Sequence, residues 1–336
     1  MIDSFVNNHQ LPSYRIKQFN QAYYQQLVPS YDHITGWPKS LREEFEKFFP
    51  FSSLDVKKRL VSQRMDTIKV LFARKKDQQM IETVLMKHDD GRNTICVSCM
   101  VGCPVNCSFC ATGKLGFNGN LEAREIVDQV LYFARELKET NESVSNVVFM
   151  GMGEPMLNLK EVMTAMQTLR DGEKFGLSTR RVTISTSGYV PQLKQLIASG
   201  FKGRLAISLH APNQALRERL MPVAKVYPLD QLMAVLDDYT KQSNKRITYE
   251  YILIKDVTDQ VEHANQLGDL LKNRLAHVNL IPYNPVPGES FVRPDKKSIF
   301  RFDHILKQHG VPSSVRVTMG DDIKAACGQL AANINP

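Results

Sequence analysis

The chain has 336 residues, 43% of them hydrophobic and 23% charged, a balance that excludes disordered and fibrous classes. No run approaches the roughly 18 apolar residues of a membrane span, and the N-terminus MIDSFVNNHQLPSYRIKQ lacks a signal peptide's apolar core; a soluble, cytoplasmic protein with no membrane partner is expected. Lys and Arg outnumber Asp and Glu by 43 to 35, a net charge of +8, which suits a polyanionic partner without requiring one.

In chain order, residues 1–60 read as a helical unit. Ile16, Phe19, Tyr23 and Leu27 fall at helical intervals within 14–27. Ser40 with Glu43 three residues on has the form of a capping box. Residues 61–90 change pattern: 66–74 and 80–86 are β-rich and separated by KKDQQ, a strand pair that connects to the core. Glu82 is a charge among apolar neighbours there, so it either faces solvent or has a function.

From 91 to 300, strands and helices alternate. Strands are expected at 94–98, 146–151, 181–186, 204–209, 248–254 and 277–282, with helices at 121–138, 159–170, 191–199, 229–241 and 261–272. Leu229, Leu232, Met233 and Leu236 mark one buried helical stripe. Repeated β-then-α units predict a parallel sheet with right-handed crossovers. Six units are too few for an eight-stranded barrel, so the fold class is α/β, an open partial (β/α)6 barrel. Residues 301–336 form a C-terminal extension.

The densest chemistry lies at 96–110, CVSCMVGCPVNCSFC, which holds five of the six cysteines; the sixth is Cys327. Cys103, Cys107 and Cys110 form C-x3-C-x2-C. Three thiolates at that spacing can hold an iron–sulfur cluster and leave one iron open to a small molecule. The competing readings are zinc, which ordinarily wants a second ligand pair that is missing here, and disulfides, which suit an intracellular chain poorly.

In parallel α/β sheets, ligands gather at the carboxyl ends of the strands. The first of the six strands runs into the cysteine loop, and the second, third, fourth and sixth end in Gly151-Met-Gly-Glu-Pro155, Ser185-Thr-Ser-Gly188, Ser208-Leu-His210 and Tyr283-Asn284-Pro285. Singly, each has an ordinary explanation: a tight turn at Gly151 and Gly153, a hydrogen-bonded core imidazole at His210. Together on one rim they form a candidate binding site.

These residues resemble the radical S-adenosylmethionine (SAM) enzymes, and more narrowly the RlmN/Cfr family of RNA adenine methyltransferases. The resemblance spans nearly the whole chain through CVSCMVGCPVNCSFCATG, FMGMGEPMLN, RRVTISTSG, SLHAP, NLIPYNPVPG and GDDIKAACGQL. It implies a [4Fe-4S] cluster on Cys103, Cys107 and Cys110, and SAM contacts from Gly153, Glu154, Ser185, Ser208, Leu209, His210 and Asn284. It further implies that Cys327 accepts a methyl group, that Cys96 resolves the protein–RNA adduct through a transient disulfide, and that Glu82 is the proton acceptor. The implied substrates are adenosines of ribosomal RNA and tRNA, with an electron donor such as flavodoxin and a monomeric enzyme. Gly-Glu-Pro, NPVPG and GDD resemble the RlmN branch, which methylates carbon 2; the Cfr branch methylates carbon 8. Cys99, Met100, Val317 and Met319 depart from the family pattern, and Cys99 reads as a packing residue.

Overall fold

The computed structural model describes residues 2–331. Three antiparallel strands lead: β1 (Leu54–Val61), β2 (Thr67–Arg74) and β3 (Met80–Lys87). β3 pairs antiparallel with β4 (Asn93–Cys96). A separate hairpin follows, β5 (Met100–Gly102) with β6 (Phe117–Asn120). The remaining strands are β7 (Asn146–Phe149), β8 (Val182–Thr186), β9 (Arg204–Ser208), β10 (Ile247–Leu253), β11 (Ala276–Pro282) and β12 (Ser313–Val315). From β4 through β7 to β12 each neighbour is parallel. The large sheet has ten strands in chain order and its ends, β1 and β12, do not pair. This is an open α/β barrel with seven parallel strands, one more than expected.

Helices cross between the parallel strands. Ala123–Glu139 starts with a reciprocal capping box between Glu122 and Glu125 and buries Ile126, Val130, Phe133 and Leu137 along one face. Leu159–Arg170, Val190–Ala198, Leu229–Ser243 and Val261–Leu271 lie where the periodicity places them. Gln214–Leu220 and Lys296–Gln308 were not anticipated.

The N-terminal stretch corrects three expectations. Helix Tyr14–Asn20 passes into a π-helical turn, Gln21–Gln25, instead of continuing to Leu27. The next helix, Lys39–Phe48, starts after Pro38, so Ser40 lies inside it and caps nothing; proline's fixed φ suits a helix start without a side-chain cap. β1 begins at Leu54, within the part read as helical. The helices close around Phe19, Tyr31, Trp37 and Phe45, all buried, and dock on the core through polar contacts. Tyr23 Oη donates to Asp128 Oδ1 at 3.2 Å, and Asp128 Oδ2 accepts from Ser53 N and Oγ at 2.7 Å each.

β2 is buried along its whole length, charges included. Arg74 forms a bidentate pair with Glu125, Nε to Oε1 at 2.9 Å and Nη2 to Oε2 at 3.1 Å. Lys69 pairs with Glu82 at 2.9 Å. Buried charges of this kind need such partners. No described helix is long and apolar enough to cross a membrane.

Candidate active site

A cavity of about 480 Å³ opens at the carboxyl ends of the parallel strands. The cysteine loop walls one side, the rim segments another, and residues 325–330 of the C-terminal segment close over it.

Backbone bonds hold the cysteine loop in place. Cys103 N donates to Gly116 O at 2.8 Å, Ser108 N to Leu220 O at 3.0 Å, and Ala111 N to Gly328 O at 2.8 Å. Cys103, Cys107 and Cys110 all line the cavity. Burial pushes the Cys103 thiol up to about 12 and Cys107 well above the thiol range, and the neighbouring thiolates add to both. Cys103 and Cys107 so placed ionise only against a cationic group, which iron in a cluster provides. Among the described residues no three His, Cys, Asp or Glu side chains converge as ligands of one ion do; in a cluster each cysteine binds a different iron. The donor set therefore fits a cluster.

On the rim, Gly153 adopts φ +104°, and a Cβ there would lie 2.6 Å from Met100 Cβ; glycine lets the turn pass this close. Its neighbour Glu154 is buried and held by three donors. Oε2 accepts from Ser187 N at 2.7 Å and Ser187 Oγ at 2.6 Å, and Oε1 from Met156 N at 3.0 Å. Burial raises its carboxyl pKa and these bonds oppose the rise.

Ser185 and Ser208 face each other with hydroxyls 3.5 Å apart, and both line the cavity. His210 has φ +57°. Its Nδ1 accepts from Ile252 N at 3.1 Å, which leaves the proton on Nε2. Burial, with a smaller push from Arg217, lowers its pKa from 6.5 to about 3, so the ring is neutral. Leu209 differs from its neighbours: its side chain is in the core and does not line the cavity. Asn284 lines the cavity, donates from Nδ2 to Cys327 O at 3.0 Å and accepts from Arg293 at 3.3 Å.

Cys96, at the end of β4, and Cys327, on the closing segment, line the same cavity. Cys327 is exposed to that space and enclosed by protein beyond it. Burial raises its thiol pKa, Arg316 opposes the rise, and Glu250 and Cys110 add to it. Burial pushes Cys96 up to about 12; the Cys327 charge adds to this and Arg316 offsets part of it. Glu82 is elsewhere. It does not line the cavity: its carboxylate pairs with Lys69 and accepts from Ala331 N at 2.8 Å, behind the closing segment. Lys69 also donates to Lys324 O at 2.9 Å. Cys99 is buried in the core.

Sequence reading missed three charged residues here. Arg316, just past β12, acts on both Cys96 and Cys327; burial alone would lower its pKa, but Cys327, Glu250 and Cys96 together raise it. Glu250 on β10 lines the cavity and accepts from Asn279 Nδ2 at 2.7 Å. Arg217 is buried beneath the cysteine loop. None carried a clear local signal: Glu250 is at the middle of β10, Arg316 follows the three-residue β12, and Arg217 lies in QALRERL, a stretch where no element was expected.

The family pattern described as the Radical SAM superfamily matches residues 97–267. A probable dual-specificity RNA methyltransferase RlmN of Dictyoglomus thermophilum is 42% identical over 96% of this chain and 91% of that relative. A Bacillus licheniformis protein with the same description is 41% identical over 98% and 91%. The crystal structure of a radical SAM methyltransferase from Sphaerobacter thermophilus, 43% identical, covers 99% of this chain and 97% of its own at a TM-score of 0.96. The chain belongs to the radical SAM superfamily and, within it, to the RlmN/Cfr family of RNA methyltransferases, closest to the RlmN type.

Proposed function

We propose that the protein methylates carbon 2 of an adenosine in 23S ribosomal RNA, and of one in tRNA, by passing the methyl group through Cys327. One observation carries this reading. Cys96 and Cys327, far apart in sequence, line the same cavity as Cys103, Cys107 and Cys110. The relatives' descriptions as RNA methyltransferases and the net charge of +8 support an RNA substrate.

Cys103, Cys107 and Cys110 would hold a [4Fe-4S] cluster. Gly153, Glu154, Ser185, Ser208, His210 and Asn284 would orient SAM, Leu209 through its backbone alone. Bound together, these groups supply a methyl cation equivalent and a radical that abstracts hydrogen. The protein's own part begins at Cys327 Sγ, which would take the methyl group from the SAM sulfonium, S-adenosylhomocysteine leaving, and become a neutral thioether. After hydrogen abstraction from that methyl group, the methylene radical carbon would bond to the adenine ring, and the adduct would give up one electron to an acceptor such as the oxidised cluster and the ring hydrogen as a proton to a base. Cys96 Sγ would then attack Cys327 Sγ; the sulfur–carbon bond breaks with its electron pair left on carbon, which takes up a proton, the methylated base leaves, and a disulfide remains for a reductant to reopen.

The charges suggest why these steps run in order. Ionised Cys327 makes Cys96 harder to ionise. Once Cys327 is alkylated, that opposition is gone and Arg316 acts on Cys96 alone. Glu82, the proton acceptor in this reading, becomes available when the segment bearing Ala331 withdraws from it.

We further assign the helices before β1 to RNA docking, β1 to β3 to connection, the strands and helices from β4 to β12 to the barrel, and the chain after β12 to delivery of Cys327. An electron donor such as flavodoxin, a cytoplasmic setting and a monomeric state complete the proposal. The test is anaerobic: reconstituted enzyme, SAM, reductant and unmodified large-subunit rRNA or tRNA, with digested nucleosides identified by mass spectrometry. 2-Methyladenosine is expected, and Cys96→Ala should accumulate a covalent protein–RNA species. 8-Methyladenosine would move the protein to the Cfr branch, and no methyladenosine at all would remove the substrate assignment.

A further inference from the structure

Helix Gln214–Leu220 carries a guanidinium that no acid answers. Arg217 is wholly buried. Its Nη2 donates to Ser187 O at 2.6 Å and, at the limit of bonding, to Ser208 O at 3.5 Å. Nε and Nη1 have no hydrogen-bond partner. The favourable charge acting on it comes from Cys107, and no carboxylate contributes. An unpaired buried cation is strongly unfavourable, so its counter-charge must come from something other than the polypeptide's acids.

Two features locate that counter-charge. The helix is tied to the cysteine loop through Ser108 N and Leu220 O at 3.0 Å. Leu216 and Leu220 pack with Val105 and Phe109 in an apolar cluster against which Cys103, Cys107 and Cys110 also lie. Arg217 itself does not line the cavity, so a small molecule bound there does not reach it. What lies within range of its charge is the group held by the thiolates.

We propose that Arg217 is the fixed counter-charge of the thiolate-ligated cluster and raises its reduction potential by favouring the more negative, reduced state. The inference rests on the cofactor reading above. A cation fixed in low dielectric acts on each electron added nearby, and no solvent reorganisation is needed because the guanidinium is already in place.

The test compares reconstituted wild type, Arg217→Lys and Arg217→Met by redox titration of the cluster without SAM, monitored by EPR, with iron content measured in each. The expected result is a lower potential for Arg217→Met, with the reduced-to-oxidised ratio at a fixed poise down about tenfold, equal to about 59 mV for one electron. Arg217→Lys should remain near wild type. If Arg217→Met cannot hold a cluster while Arg217→Lys holds one at the wild-type potential, the charge role stands. Equal potentials in all three proteins, or cluster loss in both variants, would overturn it and leave Arg217 as a brace for the Ser187 and Ser208 carbonyls. A wild type that assembles no cluster would defeat the cofactor reading itself.

Discussion

His210 offers a direct test of how strongly the site excludes charge. Its imidazole has a folded-state pKa of about 3 against an ordinary 6.5, chiefly through burial. A depressed histidine pKa means that the unfolded chain takes up a proton the folded chain refuses. Its contribution to stability is therefore complete above pH 6.5 and is lost as pH falls from there toward 3. At about 1.4 kcal/mol per pKa unit, lowering the pH from about 7 to 5 should remove about 2 kcal/mol from the folded state through this residue alone. Asn is the informative replacement. Its Oδ1 can accept the Ile252 N–H bond now made by Nδ1, and it tolerates the positive φ at this position. Urea unfolding of wild type and His210→Asn at both pH values isolates the effect, because the other titrating groups are shared. The variant should lose about 2 kcal/mol less over that interval. Equal losses would show that the folded protein accommodates the protonated ring, and the burial argument would be wrong.

Other consequences are open to simpler assays. Arg316→Met should raise the pKa of both Cys96 and Cys327 and so slow their alkylation near pH 8, read by peptide mapping; unchanged rates would dismiss Arg316 as their charge partner. Glu82→Ala leaves the buried Lys69 ammonium without its carboxylate and should cost about 3 kcal/mol of unfolding free energy. It should also expose residues 325–331 to limited proteolysis, and a protected segment would contradict a holding role for the Ala331 N–Glu82 bond. Gly153→Ala places a Cβ against Met100 in a positive-φ turn and should cost about 2 kcal/mol. It should also weaken SAM binding by calorimetry, because the turn carries Glu154; native affinity would mean the turn adapts.

The barrel was legible because its strands and crossover helices repeat a local pattern, and because carboxyl-end rims collect polar residues. Leu159–Arg170 was predicted to the residue for that reason. The errors share a different cause. β1 reads LDVKKRLV and β12 only SSV; neither has an apolar run, and each forms because an existing edge offers it backbone partners. Ser40 was given a cap that Pro38 made unnecessary. Nothing local revealed that the Glu82 carboxylate binds Ala331 N and Lys69, since those contacts depend on the tertiary fold. Arg217 shows the limit most clearly: its short helix, with only Leu216 and Leu220 as an apolar pair, was read as nothing at all, yet its guanidinium is wholly buried.

Besides its local bonds, the segment carrying Cys327 is attached to distant parts of the chain. Leu330 O accepts from Thr112 Oγ1, Gly328 O from Ala111 N, Cys327 O from Asn284 Nδ2, and Ala331 N donates to Glu82. Every strand precedes it in sequence. During synthesis the sheet and the cysteine loop therefore exist before their cover does, and the nascent chain presents an uncovered loop to whatever delivers iron. Closure then brings in Cys327, the methyl acceptor of the proposed reaction, as the last component, so a half-made chain has the three loop cysteines without it. A chain stopped after residue 319 should take up iron at least as fast as the whole protein while methylating nothing; slower uptake would mean that the cover helps to assemble the site it closes.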